Sequence, residues 1–383
     1  MAFIEVQDLY KVFGGETPEA LSLAKKGLSR KEIMQKTGSV VAVRDINFEV
    51  EKGTIFVVMG LSGCGKSTLI RCLNRLVEPT AGHISVDSRD VCTFSESELR
   101  DYRRHTITMV FQHFGLLPHR TIAENVMLGL EIRGNESPEE QFKKAEDAIK
   151  TVGLEEWEDS RPDELSGGMR QRVGLARALA TQCPILLMDE PFSALDPLIR
   201  KQMQDELLRI QKTIRKTIIF ITHDLDEALK LGDVIAILNP DGAIVQLDTP
   251  ENIIMKPGDS YVGEFVQKID KQNVVRTESI MEPAVFVEGK DAVKEAEKIV
   301  KKHGFSFVVD GKNRLLGAFT EESLDNGKPE IEKVASIKNY KTINRSIPIL
   351  FYSKHPVPVV NEQGQLVGQI NRDDVKKLLE EGE

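Results

Sequence analysis

Nine residues restrict this chain's fold more than any other stretch: Gly60-Leu61-Ser62-Gly63-Cys64-Gly65-Lys66-Ser67-Thr68. They fit the pattern G-x-x-x-x-G-K-S/T where it has meaning, after an apolar strand segment (54–59) and before a helix predicted over 68–76. The glycines let successive backbone N–H groups curl around phosphate oxygens, and the helix start adds partial positive charge. Gly60, Ser62, Gly63, Cys64, Gly65 and Thr68 are therefore candidate nucleotide-phosphate-binding positions. Lys66 is placed to reach the β and γ phosphates, and Ser67 to offer its hydroxyl to Mg²⁺.

Through residue 266 the chain alternates apolar strand segments with helical patterns, the rhythm of a parallel α/β sheet. Segments 185–188 and 217–222 read as continuously apolar strands covered on both faces. Segments 234–238 and 243–247 read as a hairpin closed by Asn239-Pro240-Asp241-Gly242. The strand at 185–188 runs into Asp189 and Glu190, which delivers two carboxylates to the edge where parallel sheets bind ligands. Asp189 is placed to hold Mg²⁺ through water, and Glu190 to polarise an attacking water. Leu165-Ser166-Gly167-Gly168 opens an amphipathic helix over 170–180, a second helix start suited to an anion. Two such starts and one nucleotide per chain point to a dimer, with each Ser-Gly-Gly facing the partner's nucleotide. Residues 95–178 are mostly helical and acidic, which predicts an inserted helical subdomain. Residues 15–39 form a polar, helix-prone insert whose charges read as a solvated face.

At 383 residues the chain exceeds one ordinary core and predicts two or three domains. Its net charge of −9 leaves no general basic surface, which excludes a nucleic-acid partner held by phosphate neutralisation. No apolar run approaches the ~18 residues needed to span a bilayer. The opening residues lack a basic stretch ahead of an apolar core and are not expected to form a secretory signal. Cys64, Cys72, Cys92 and Cys183 lack metal-ligand spacing and read as thiols of a reducing cytoplasm.

Past residue 266 the texture changes. Residues 267–273 read as a linker, and 274–383 hold an internal repeat. Phe307-Val308-Val309-Asp310 with Leu316-Gly317 matches Pro358-Val359-Val360-Asn361 with Val367-Gly368, at a constant offset of 51. Each copy ends in a helical tail (321–324 and 373–379), so two ββα units with a pseudo-twofold axis are expected. From Val274 onward there are 17 basic and 18 acidic residues, so nearly all the net negative charge precedes the repeat.

The phosphate loop, Leu165-Ser166-Gly167-Gly168-Met169-Arg170-Gln171-Arg172 and Met188-Asp189-Glu190-Pro191, in this order, resemble an ATP-binding-cassette (ABC) ATPase. The resemblance implies a P-loop NTPase: a RecA-like parallel sheet core with a β-subdomain and an inserted helical subdomain. It implies that ATP and Mg²⁺ are bound, and that Lys66, Glu190 and His223 are catalytic. Phe13 matches the aromatic that stacks on adenine, with Tyr10 as a nearby alternative. Gln112 matches the glutamine that joins Ser67 and Asp189 in the Mg²⁺ shell and senses a transmembrane partner. Ser166, Gly167, Gly168 and Gln171 match the signature that closes on the ATP of the other subunit of a homodimer, and Asp196 the dimer-contact loop.

Asn74-Arg75-Leu76-Val77-Glu78-Pro79-Thr80, the run 192–200 and the insert at 15–39 resemble the glycine betaine/proline-betaine (quaternary amine) importers. That implies two transmembrane permease subunits, an extracytoplasmic substrate-binding protein or domain, and a peripheral place on the cytoplasmic face of the cell membrane. Residues 116–120 match the segment that docks the permeases. An importer for another small solute, or a soluble non-transport ABC ATPase, is the alternative.

The repeat, opening on Ile280-Met281-Glu282-Pro283, resembles a small α+β tandem CBS domain. The family's nucleotide-binding pattern is partial: Ser323 stands where Asp is usual after Thr320, and Asn371 where Thr is usual before Asp374. An adenine (cyclic di-)nucleotide there and a purely structural or dimerising module both stay open. Lys298, Lys301 and Lys302 form either a basic face for anionic lipid, weakened as salt rises, or a solvated helix face.

Overall fold

The computed structural model describes residues 2–112, 115–267, 269, 272, 274–289, 292–325 and 329–380. The backbone divides into two compact units, Met1–Gly263 and Glu264–Glu383. Residues 268, 270, 271 and 273 of the predicted linker lie outside the described residues.

The first unit opens on β1 (Ile4–Phe13), passes through α1 (Thr17–Lys25) and α2 (Arg30–Thr37), and returns antiparallel on β2 (Val40–Val50). β3 (Ile55–Gly60) leads through the phosphate loop into α3 (Lys66–Leu73). β4 (Ala81–Val86) and β5 (Arg89–Asp90) then complete a sheet of order β2-β1-β4-β5. The second half of β2 shows the two-residue period of a half-buried strand: Ile46, Phe48 and Val50 are buried between exposed Asp45, Asn47 and Glu49.

After α4 (Glu96–His105) comes β6 (Ile107–Val110), then the helices α5 (Ile122–Arg133), α6 (Pro138–Thr151) and α7 (Gly167–Ala180), packed on one another. α4, α5 and α6 start at capping boxes (Ser95/Glu98, Thr121/Glu124, Ser137/Glu140), in which side chain and backbone satisfy each other's free groups. Thus the predicted helical stretch 95–178 also contains β6, a strand of the core sheet. Four residues are too few to interrupt a helical reading.

β7 (Ile185–Asp189), α8 (Pro197–Ile214), β8 (Thr217–Thr222), α9 (Leu225–Leu231), β9 (Val234–Leu238) and β10 (Ile244–Asp248) follow, and then α10 (Pro250–Met255) and α11 (Ser260–Val266). The central sheet runs β10-β9-β3-β8-β7-β6, parallel except for the β9–β10 hairpin. Every residue of β3, β7 and β8 is buried, the state their unbroken apolar sequences demand.

The second unit holds two copies of one βαββα pattern. The first is β11 (Phe286–Glu288), α12 (Val293–His303), β12 (Phe305–Val309), β13 (Leu315–Thr320) and α13 (Glu321–Asp325). The second is β14 (Ile337–Lys338), α14 (Ile343–Tyr352), β15 (Val357–Val360), β16 (Leu366–Ile370) and α15 (Arg372–Glu380). Each forms a three-stranded sheet, β11-β12-β13 and β14-β15-β16. The sequence predicts only ββα, because β11 and β14 are too short to display a strand period. The pseudo-twofold axis is visible in the backbone: Leu315 N–H donates to the Gly364 carbonyl (3.1 Å), and Leu366 N–H to the Asn313 carbonyl (2.8 Å). Ala318 pairs with Glu332, and its counterpart Gln369 pairs with Glu282.

Candidate functional site

Parallel register sets the ends of four strands along one edge. Met59 lies opposite Thr222, Ile221 opposite Asp189, and Met188 opposite Val110. The residues that follow those ends, the phosphate loop, Glu190, His223 and Gln112, are thereby gathered from distant parts of the sequence.

The loop turns on Gly60, Gly63 and Gly65, with φ of 154°, 80° and 107°. Gly65 admits no side chain: a Cβ there would sit 1.9 Å from the Ala42 carbonyl oxygen on β2. α3 begins at Lys66 rather than at 68 because the left-handed Gly65 already ends the turn. Lys66 is 4% exposed, and its ammonium donates to the carbonyls of Gly60 (2.8 Å) and Leu61 (3.0 Å). It also lies 3.7 Å from a Glu190 carboxylate oxygen. The Ser67 hydroxyl donates to Asp189 Oδ1 (2.8 Å), and the Arg71 guanidinium holds the other oxygen (3.3 Å). Sequence reasoning missed Arg71, although its i, i+4 spacing from Ser67 puts both on one helix face. Ser62 is exposed at the loop's tip, Thr68 is half-buried, and Cys64 is buried, which pushes its thiol pKa up.

Glu190 has a left-handed backbone (φ 45°), and its N–H donates to the Ile221 carbonyl (3.2 Å). Its carboxylate meets His223 Nδ1 at 3.2 Å. Its own carbonyl accepts from the Ser193 hydroxyl (3.0 Å), which in turn accepts from the Gln112 amide (3.5 Å). Gln112 therefore joins the site through Ser193. His113 and Phe114, which follow it, lie outside the described residues. Further along, the buried Asn125 clamps the predicted docking segment, accepting from Leu117 N–H and donating to the carbonyls of Leu117 and Arg120. Asp196 is exposed and caps α8, accepting from the N–H groups of Leu198 and Ile199.

Phe13 is 45% exposed, with the Lys11 ammonium 4.8 Å from its ring centre. Tyr10 is buried with Val12, Ala20, Ala24 and Ile33 under the α1–α2 insert, so it has no free face for a base. Ser166 is exposed and caps α7 by accepting from Met169 N–H (3.3 Å). Gly168 abuts Ile199 of α8, where a Cβ would fall 2.5 Å from Cγ2. Gln171, one turn further into α7, has its side chain wholly buried.

In the second unit Thr320 lines a cleft of about 880 Å³, together with Phe305, Glu332, Tyr352, His355 and Pro358. The Thr320 hydroxyl donates to Glu332 Oε1 (2.7 Å), and Ser323 Oγ accepts from Thr320 N–H (2.8 Å). Asn371 and Asp374 do not line that cleft. Asp374 accepts from Asn371 N–H (3.0 Å), and the Asn371 amide meets Glu282 (3.3 Å). Lys298, Lys301 and Lys302 are exposed on α12, with Glu295 and Glu297 exposed among them.

The model of the ABC transporter family matches residues 43–193, and that of the CBS domain residues 277–326. The glycine betaine transport ATP-binding protein OpuAA of Bacillus subtilis is 45% identical over 96% of this chain and 90% of its own length. The glycine betaine/proline betaine transport system ATP-binding protein ProV of Salmonella typhimurium is 42% identical over 98% of this chain and 97% of its own. Among solved structures, the dimeric ATP-binding cassette MJ0796, in a post-hydrolysis state bound to ADP and Pi, superposes with a TM-score of 0.54. It is 32% identical and covers 64% of this chain and 98% of its own. Among the described residues no helix is long and apolar enough to cross a membrane.

Proposed function

Since the chain belongs to the ATP-binding subunits of ABC transporters, we propose that it powers uptake of a quaternary-amine osmolyte such as glycine betaine. The likeness to glycine betaine transport ATP-binding proteins across nearly the whole chain carries the choice of solute. In this reading two copies pair, Ser166 and Gly167 of each closing on the nucleotide held by Lys66 and Ser67 of the other. Two permease subunits and an extracytoplasmic substrate-binding protein complete the transporter, with this subunit on the cytoplasmic face of the membrane.

The oxygen donors of Ser67 and Asp189, 2.8 Å apart, fit Mg²⁺, a hard cation that prefers oxygen, and Gln112, held on Ser193, would complete the set. Mg²⁺ held by Ser67 and Asp189 would supply positive charge to offset that of the nucleotide's phosphates. Lys66 adds a second positive charge from a buried position, where screening is weak. Glu190 accepts a hydrogen bond from the attacking water, and His223 fixes the direction of its carboxylate. Phe13 offers its exposed ring to adenine.

The cleft beside Thr320 is the regulatory site in this reading, with apolar walls of Phe305 and Pro358 for an adenine base. The exposed lysines of α12 are the alternative input, through anionic lipid. The test of the function is reconstitution of the subunit with its permeases and binding protein in vesicles. ATP-dependent accumulation of labelled glycine betaine is expected. ATP-driven uptake of an amino acid or phosphonate instead, or hydrolysis without uptake, would sink the assignment.

A further inference from the structure

The polar insert at 15–39 reaches the phosphate loop through Arg30. Arg30, the first residue of α2, donates from Nη1 to the Gly63 carbonyl (2.8 Å) and to the Pro240 carbonyl (3.2 Å). Its own N–H donates to Asp241 Oδ1 (2.9 Å), so backbone and guanidinium are both tied to the 239–242 turn. That turn is rigid. Asn239 Oδ1 accepts from the N–H groups of Asp241 and Ala243 (both 3.0 Å). Gly242 also packs so closely that a Cβ would lie 2.6 Å from the Ala42 carbonyl and 3.3 Å from that of Cys64.

Helix stability does not explain an arginine here, because a cation at a helix N-terminus opposes the macrodipole. A residue that breaks a local rule this way acts elsewhere. We infer that Arg30 is a positioning residue for ATP binding, holding the Gly63–Cys64 peptide in the orientation that a phosphate needs. A trans peptide sets its C=O and N–H on opposite sides. With the Gly63 carbonyl bonded to the guanidinium, the Cys64 N–H points to the other side of the peptide, where it makes a long 3.3 Å bond to the Leu61 carbonyl. A bond from a charged donor is stronger than a neutral one and polarises the peptide, which sharpens that N–H as a donor. The insert itself is fixed by its own apolar cluster, so the guanidinium is held before nucleotide arrives.

The test uses the full chain with R30A, R30K and S29A. The last weakens the capping box of α2 without touching Gly63. A fluorescent ATP analogue reports affinity, steady-state hydrolysis reports KM and kcat, and thermal unfolding reports stability. R30A should raise Kd and KM about tenfold, equivalent to ~1.4 kcal/mol, with kcat nearly unchanged. R30K should recover part of the loss, and S29A should lower the unfolding temperature while leaving KM near wild type. The inference is overturned if R30A leaves KM unchanged, if it lowers kcat instead, or if S29A raises KM equally. Should R30A not fold, R30K decides: a higher Kd supports the role and an unchanged one overturns it. Wild type that bound no ATP analogue would count against the ATPase reading itself, separately from Arg30.

Discussion

His223 Nδ1 stands 3.2 Å from Glu190 Oε2, so the residue after β8 orients the residue after β7 across two adjacent parallel strands. Glu190 also faces the Lys66 ammonium at 3.7 Å, and its carboxylate is therefore steered from two sides. Replacing it by glutamine keeps the shape and removes the charge that draws a proton from water. E190Q should slow hydrolysis by about 10²- to 10⁴-fold, the usual worth of a general base, with ATP affinity kept. Single-turnover hydrolysis beside nucleotide binding checks this, and trapping of an ATP-bound dimer should appear by size-exclusion chromatography. Turnover of E190Q at the wild-type rate would remove Glu190 from the role.

Asp189 is tied by both oxygens, one to Ser67 and one to Arg71, and is 2% exposed. D189N keeps the volume but leaves one oxygen where two stood. The Mg²⁺ concentration for half-maximal hydrolysis should rise by roughly 10- to 100-fold, and in R71A by less, since Arg71 acts only through Asp189. Chelation by EDTA should stop turnover in every variant. An Mg²⁺ titration of initial rates distinguishes them, and identical curves for D189N and wild type would contradict the placement.

How much of this was legible in the sequence depends on the range of the forces involved. Gly60, Gly65, Lys66 and Ser67 are contiguous, and their spacing alone dictates a phosphate cradle. Asp189 and Glu190 follow an unbroken apolar strand, so their arrival at the sheet edge was also readable. Arg30 and Asp241 meet across 211 positions through one backbone bond, and no local pattern announces such a contact. Tyr10, the nearby alternative to Phe13, lies under the insert, a tertiary effect invisible in β1 itself. In the repeat, the offset of 51 revealed the duplication, while β14, two residues long, lay below any periodic signal.

Gly65 sets the tightest steric condition in the loop. Alanine there would place a Cβ 1.9 Å from the Ala42 carbonyl at a φ of 107°, where side chains are strained. G65A should displace the loop, costing about 1–3 kcal/mol or more of stability, and should abolish detectable ATP binding. Calorimetric unfolding together with nucleotide titration checks both. Alanine at Gly63, whose Cβ would meet nothing within 4 Å, should be milder despite its φ of 80°.

Glu227 supplies a pH-dependent prediction. It is 6% exposed on α9, its carboxylate accepts from the Gln204 amide (3.1 Å), and burial raises its pKa above the ordinary 4.5. Asp224 pushes the same way, while bonds from Thr222 and Gln204 and the charge of Arg200 partly oppose the rise. A carboxyl group with a raised folded value binds its proton more tightly when folded. Its contribution to stability is therefore full below the unfolded value and is lost as pH rises through the folded one. E227Q has nearly the same shape, keeps an oxygen for Gln204 and carries no charge to desolvate. Relative to wild type, it should be least favoured near pH 4 and gain as pH rises, reaching a few degrees of added melting temperature at most by about pH 8. Melting curves of both proteins across that range decide the point. A difference that stayed constant with pH would mean that Glu227 is not the titrating group.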